Sequence, residues 1–204
     1  AVTSNHVHLL VTANKAKSVA PFMQCVQGEF AADFNRRNER SGAFWSDRYH
    51  ATMIDDGEHL LACMRYIDLN MVRAGVVAHP QRWDWCGWHE LTGARNPPAL
   101  INLISLLRRL NHQPLHKFRD HYRAYVEEAI ARPEAVGPEP RWSTAIAIGT
   151  QAFISTIESA LDMSDRRNRM TRDPAGKDRW VLRDTSCEYG SPQHEYILNP
   201  AQKA

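Results

Sequence analysis

No two of the four cysteines in this 204-residue chain lie close together. Cys25, Cys63, Cys86 and Cys187 are scattered, which excludes a zinc finger, since that needs cysteine pairs at short spacing. Separate thiols suit a reducing compartment, and a cytoplasmic location is expected. No apolar run approaches a membrane span, and the first residues show no basic-then-apolar signal pattern. Internal repeats are absent. Net charge is also small: the value is +2, and residues 1–92 carry nine Lys/Arg against ten Asp/Glu. DNA bound by that part is therefore held by placed residues and not by a bulk positive field. The basic surplus comes later, where Arg166 to Arg183 sets seven basic residues against two acidic ones. An apolar content of 43% over this length allows one domain with a sizeable core, or one domain and an appendage.

The informative residues sit at particular positions. In Asn5-His6-Val7-His8-Leu9-Leu10-Val11 the alternation predicts a strand over residues 5–12. Val7, Leu9 and Val11 fall on one face and His6 and His8 on the other, so both imidazoles can reach one ion. The bland alternative is a structural strand. A histidine-triad hydrolase would want a third alternating histidine, and Leu10 stands there. An amidohydrolase barrel opens with the same pair but needs about 250 residues.

Downstream, Leu60, Met64, Ile67 and Met71 form the apolar stripe of a helix predicted over residues 57–72. Tyr66 and Asn70 are four apart and lie on its flank, held by a packed helix yet facing outward. Gly75 is expected to end it. A further helix of about twenty residues follows Ser18, with Val19, Phe22, Met23, Val26, Phe30 and Phe34 as a stripe expected in the core. Residues 43–54 read as one or two strands. Trp83, Trp85 and Trp88 either anchor a loop on the core or stack on unpaired bases. Three amphipathic helices are predicted beyond Asn96-Pro97-Pro98, with a linker at Pro133 to Pro140.

Taken in order, Asn5 to Val11, Phe44-Trp45-Ser46-Asp47-Arg48-Tyr49, Leu60 to Val77 and Trp83-Asp84-Trp85 resemble the single-tyrosine HUH transposases. The nearest branch is the REP-associated tyrosine transposases, and the resemblance runs from residue 1 to about 93, more weakly to about 160. It implies an α+β fold: an antiparallel sheet with packed helices, a ferredoxin-like nuclease core. The family's usual strand and helix before the histidine strand do not precede His6 here, so a core lacking them is expected. Met71 also departs from the family, which has Pro at that place. The expected division is a core at 1–95, a helical extension at 96–163 and a basic tail at 164–204, either disordered or ordered on DNA.

The resemblance further implies a metal-dependent endonuclease and strand transferase acting on single-stranded or hairpin DNA. Tyr66 would be the nucleophile, forming a 5′-phosphotyrosine. His6, His8 and the Asn70 side-chain oxygen would hold Mg²⁺ or Mn²⁺, the imidazoles favouring Mn²⁺ somewhat. An unassisted phenol loses its proton only near pH 10, so the nucleophile needs a cation or base beside it. Arg36, Arg37, Arg40, Arg48 and Arg73 are candidate phosphate contacts; Arg36, Arg37 and Arg40 read equally well as a cationic cap on a helix C-terminus. Two alternatives stand beside this: an inactive DNA-hairpin-binding remnant, and a helical interaction protein.

Overall fold

Helices and one small sheet make up the chain, an α+β arrangement, in a computed structural model that describes residues 1–94, 100–111, 114–132, 137, 139–161, 168–172 and 178–184. The Asn96-Pro97-Pro98 break and most of the Pro133 to Pro140 linker lie outside the described residues. So do 166, 167 and 173–177 of the basic stretch. The chain divides into two compact units: residues 1–51 with 56–139, and residues 52–55 with 140–204. The break therefore falls near residue 140 and not near 95. The helix over 115–130 is the reason, because its apolar stripe completes the core of the first unit.

That unit is helical among its described residues. Helix α1 spans Val19–Arg37, α2 Glu58–Asp68, α3 Asn70–Arg73, α4 Trp88–Thr92, α5 Leu103–Arg109 and α6 Leu115–Ile130. Leu60, Met64 and Leu69 pack against Trp88, Leu91, Leu106 and Leu110 and against Phe118, Tyr122, Val126 and Ala129. The last four recur at three- and four-residue spacing along α6, so one face of that helix is apolar and closes the cluster. Asn102 caps α5 by accepting the Ser105 N–H at 3.0 Å. The helix expected over 57–72 is present but bends at Leu69, which separates α2 from α3. Gly75 ends it as expected, at φ +68°, with the Val76 and Val77 N–H groups both donating to the Met71 carbonyl.

Two expectations fail in this unit. Residues 5–12 are not a strand: the segment makes only an isolated antiparallel bridge between Val2 and Val7, and no sheet carries the histidines. A strand requires a hydrogen-bonded neighbour along its length. Among the described residues this segment finds only residues 1–3, and Leu9, Leu10 and Val11 stay exposed. The ferredoxin-like sheet is accordingly not among them. The stripe of α1 is not core either. Phe22, Val26 and Phe30 are 43%, 40% and 49% exposed, and α1 has no buried residue. Phe44 and Trp45 cover its C-terminal half, with Phe44 at 5.0 Å from the Phe30 ring and 4.7 Å from that of Phe34. Of residues 43–54, only Met53–Ile54 is strand.

The second unit holds the sheet. Strands β1 (Met53–Ile54), β2 (Ala147–Gly149), β3 (Asn168–Arg172) and β4 (Trp180–Asp184) run in the order β1-β2-β4-β3. The β1–β2 pair is parallel and the other two are antiparallel. Helix α7 spans Arg141–Thr144 and α8 spans Gln151–Ala160. Ile148 and Val181 pack with Ala145, and Leu182 with Ala147 and Ile154. Within the stretch read as a basic tail, residues 168–172 and 180–184 are thus paired strands. Three apolar residues, Trp180, Val181 and Leu182, suffice to seat β4 on both faces of the small sheet.

One buried carboxylate ties the first unit's helices together. Asp68, at the end of α2, accepts the Tyr122 hydroxyl at 2.7 Å and the Gly87 N–H at 2.9 Å. Burial pushes its acid up to about 6 even though both hydrogen bonds favour the charged form. A folded-state value above the unfolded one means the native protein binds more protons between about pH 4 and pH 6. Stability is then expected to fall as pH rises through that window, by about 3 kcal/mol, and to level off above it. Urea unfolding of the wild-type chain and Asp68→Asn across pH 4–7 checks this. The same slope in both proteins would show that Asp68 is not its source.

Candidate phosphoryl-transfer site

The bend of α2 and α3 places Tyr66, Asn70 and Arg73 at i, i+4 and i+7, one above another on a half-buried face. Met64 and Met71 on the opposite side are buried, and Asp68 locks the helix end to α6. The face is therefore held by packing while its side chains remain accessible.

Opposite it lies the N-terminal turn. The Thr3 N–H and hydroxyl both donate to the His6 carbonyl, at 3.0 and 2.7 Å, and Thr3 Oγ1 accepts the His6 N–H at 3.1 Å. His8 N–H donates to the Ala1 carbonyl at 2.8 Å. The Trp83–Trp85 loop fixes the turn: Val2 N–H donates to the Trp85 carbonyl at 2.8 Å, and the Trp83 indole donates to the Val2 carbonyl at 2.9 Å. Two of the three tryptophans are anchors, Trp83 by this bond and Trp88 by burial in the core; the Trp85 ring is 67% exposed.

His6 and His8 remain on one side of this turn although it is not a strand. Their Nε2 atoms are 3.1 Å apart, and the rings meet edge-on. The Asn70 amide nitrogen stands 2.8 Å from His8 Nε2, and the Tyr66 ring centroid is 5.9 Å from that of His8. All four residues singled out in the sequence thus converge, across sixty residues of chain.

The donor set fits a divalent cation. With metal–nitrogen bonds of about 2.1 Å, two ligands at right angles lie ~3 Å apart, the spacing of the two Nε2 atoms. His6 Nδ1 is 2.7 Å from Asn5 Oδ1. That contact places the ring proton on Nδ1 and leaves Nε2 as a lone pair, the usual outer support of a metal-binding histidine. Both imidazoles are held neutral. Burial lowers His8 to about 4, with His6, the α-amino group and Arg73 adding to the effect; burial, Arg73 and the α-amino group lower His6. Neutral imidazole is the ligating form. Asn70 departs from expectation in one respect: its nitrogen, not its oxygen, faces His8, and a half-turn about χ2 exchanges them. Among the described residues no third His, Cys, Asp or Glu joins the pair.

The arginines divide. Arg73 belongs to the cluster, its guanidinium carbon 3.8 Å from the centre of the Tyr66 ring. Arg36 and Arg37 instead pair with Asp33 on α1, Arg40 lies 5.6 Å over Phe34, and all three are exposed. Arg48 is exposed as well, and its backbone N–H donates to Asp47. Sequence reasoning missed the supporting pair Asp68–Tyr122, whose partners are 54 residues apart. It also missed the place of Arg73 over the phenol, although the i, i+4, i+7 spacing carried that signal.

Two imidazoles, an amide, a phenol and a guanidinium gather where the N-terminal turn meets one helix face. Residues 1–70, about a third of the chain, are similar to the family model described as transposase IS200-like. The matched stretch contains His6, His8, Tyr66 and Asn70. No curated protein and no solved structure matches the chain. No helix among the described residues is long and apolar enough to cross a membrane.

Proposed function

We propose that the chain is a metal-dependent single-stranded DNA endonuclease and strand transferase that works through a 5′-phosphotyrosine, in DNA transposition or in processing of REP hairpins in the cytoplasm. The convergence of His6, His8 and Asn70 beside Tyr66 is the observation that carries this reading. His6, His8 and Asn70 would hold Mg²⁺ or Mn²⁺. When bound, such a cation neutralises and orients a phosphodiester.

The residues themselves supply the rest. Tyr66 presents its hydroxyl beside the imidazole pair and attacks phosphorus in line with the departing 3′-oxygen. The phenolic proton is lost, a bond forms between phosphorus and the Tyr66 oxygen, and the bond to the 3′-oxygen breaks. That oxygen takes up a proton and becomes a free 3′-hydroxyl, which can reverse the reaction on the same or another strand. Asn5 holds the tautomer of His6, and the Trp83–Trp85 loop holds the turn that carries both histidines.

The test is direct. The full chain, incubated with Mn²⁺ and a labelled hairpin oligonucleotide, should yield a protein–DNA adduct on a denaturing gel. Peptide mapping should place a 5′-phosphate on Tyr66. Hairpin binding without any adduct would favour the second reading, an inactive hairpin-binding remnant. That reading draws support from the position of His6 and His8 on a turn with an isolated β-bridge and not within a sheet.

A further inference from the structure

We propose that Arg73 is a positioning residue for this reaction: its guanidinium plane holds the Tyr66 ring from one side and turns its remaining N–H groups toward the scissile phosphate. The inference rests on the reading of Tyr66 as the nucleophile.

Geometry supports it in three ways. First, the guanidinium carbon lies 3.8 Å from the centroid of the Tyr66 ring, a close cation–π contact. Second, Arg73 Nη2 donates to the Tyr66 main-chain carbonyl at 2.8 Å, so one arginine grips both the ring and the backbone of the same residue. Third, the side chain is half-buried on the same helix face as Tyr66 and Asn70. A fixed cation therefore lies against the ring that would carry the attacking oxygen.

The helix explains the reach. Side chains of a helix lean toward its N-terminus, so a long arginine at i+7 folds back over the ring two turns earlier. The plain alternative is a C-terminal cap, since Arg73 ends α3 and cations are favoured there. Lysine would serve as well for a cap. It would not serve for a plane stacked on a phenol, nor for two parallel N–H groups offered to one phosphate.

In the transfer step the bond from the Tyr66 oxygen to phosphorus forms as the bond to the 3′-oxygen breaks. Charge gathers on the non-bridging oxygens meanwhile. Donors already aimed at those oxygens act most strongly at that moment. Stacking also narrows the phenol to one orientation, which raises the rate by lowering the disorder of the attacking group.

Arg73→Lys and Arg73→Ala of the full chain test the proposal in single-turnover adduct formation with a hairpin oligonucleotide and Mn²⁺. Arg73→Lys should lower the maximal rate about 10- to 100-fold while leaving the half-saturating DNA concentration within about threefold. Arg73→Ala should lower the rate further and raise the half-saturating concentration. A wild-type maximal rate in Arg73→Lys would overturn the proposal, leaving a cap or a bare charge. So would equal losses of rate and of thermal stability in both variants. A second measurement does not need activity. With 3-fluorotyrosine incorporated and the Tyr66 resonance assigned by its loss in Tyr66→Phe, Arg73→Ala should shift and sharpen that ¹⁹F signal. An unchanged signal overturns the hold on the ring. If the wild-type chain forms no adduct, the endonuclease reading fails by itself, and the ¹⁹F comparison still decides whether Arg73 pins Tyr66.

Discussion

Tyr66→Phe should remove the covalent DNA adduct, lowering its rate of formation by at least about 10³-fold, while hairpin affinity stays within about threefold of the wild type. The substitution deletes one oxygen and little else. The ring remains to pack under Arg73 and edge-on to His8 through ring atoms and the main-chain carbonyl, and only the side-chain hydrogen bond between the Tyr66 hydroxyl and Arg73 is lost with the oxygen. Binding to DNA phosphates does not depend on the lost hydroxyl. Labelled oligonucleotide on a denaturing gel reports the adduct, and fluorescence anisotropy reports the affinity. An equal yield of strand cleavage from Tyr66→Phe would assign the attack to another nucleophile, such as water.

His8→Ala should be the more damaging of the two histidine substitutions. His8 Nε2 meets both His6 at 3.1 Å and Asn70 at 2.8 Å, so it is the centre of the donor set, whereas His6 touches only one side of it. The expected loss is about 10²- to 10³-fold in cleavage at low Mn²⁺ for His8→Ala and smaller for His6→Ala, since removing even an outer support of a metal site costs 10- to 100-fold. Excess Mn²⁺ should recover part of it, because the remaining ligands still bind weakly. The decisive measurement is cleavage rate against Mn²⁺ concentration. The half-saturating concentration must rise in His8→Ala; if it does not move, the imidazoles are not ligands. The direct check is calorimetric titration with Mn²⁺ in the absence of DNA.

Removing the basic stretch from Arg166 to Arg183 would not isolate its charge in this fold. Residues 168–172 and 180–184 are two of the four strands, and Val181 and Leu182 are buried, so a deletion would dismantle the sheet and not merely remove charge. Charge reversal at exposed Arg183 keeps the strand and asks the same question about salt-dependent DNA affinity.

Much of the site was legible before any coordinates. The alternation around Val7 placed His6 and His8 on one side, and that survives although the segment is a turn, because bridged antiparallel residues keep the two-residue period. The stripe of Leu60, Met64 and Met71 left Tyr66 and Asn70 on a flank, and both are half-buried there. Gly75 stopped the helix where its left-handed backbone is needed. The α1 stripe shows the limit of the same logic. Its period correctly predicts a helix, yet Phe22, Val26 and Phe30 are exposed, since periodicity says which residues share a face and not whether anything covers it.

The resemblance implied the α+β class; by itself the sequence determined the candidate groups and their grouping into a histidine pair and a tyrosine helix. These depend on spacings of two to seven residues, where backbone geometry alone dictates what faces what. Only the tertiary structure decided that His6 and His8 ride on a turn, that Asp68 is anchored by Tyr122, that Arg73 lies on the Tyr66 ring, and that a polar, basic stretch supplies two strands. Each of these needs a partner chosen by packing, and most of those partners lie far along the chain: β2 pairs with β1 between Ala147 and Met53, and no local rule fixes such a match.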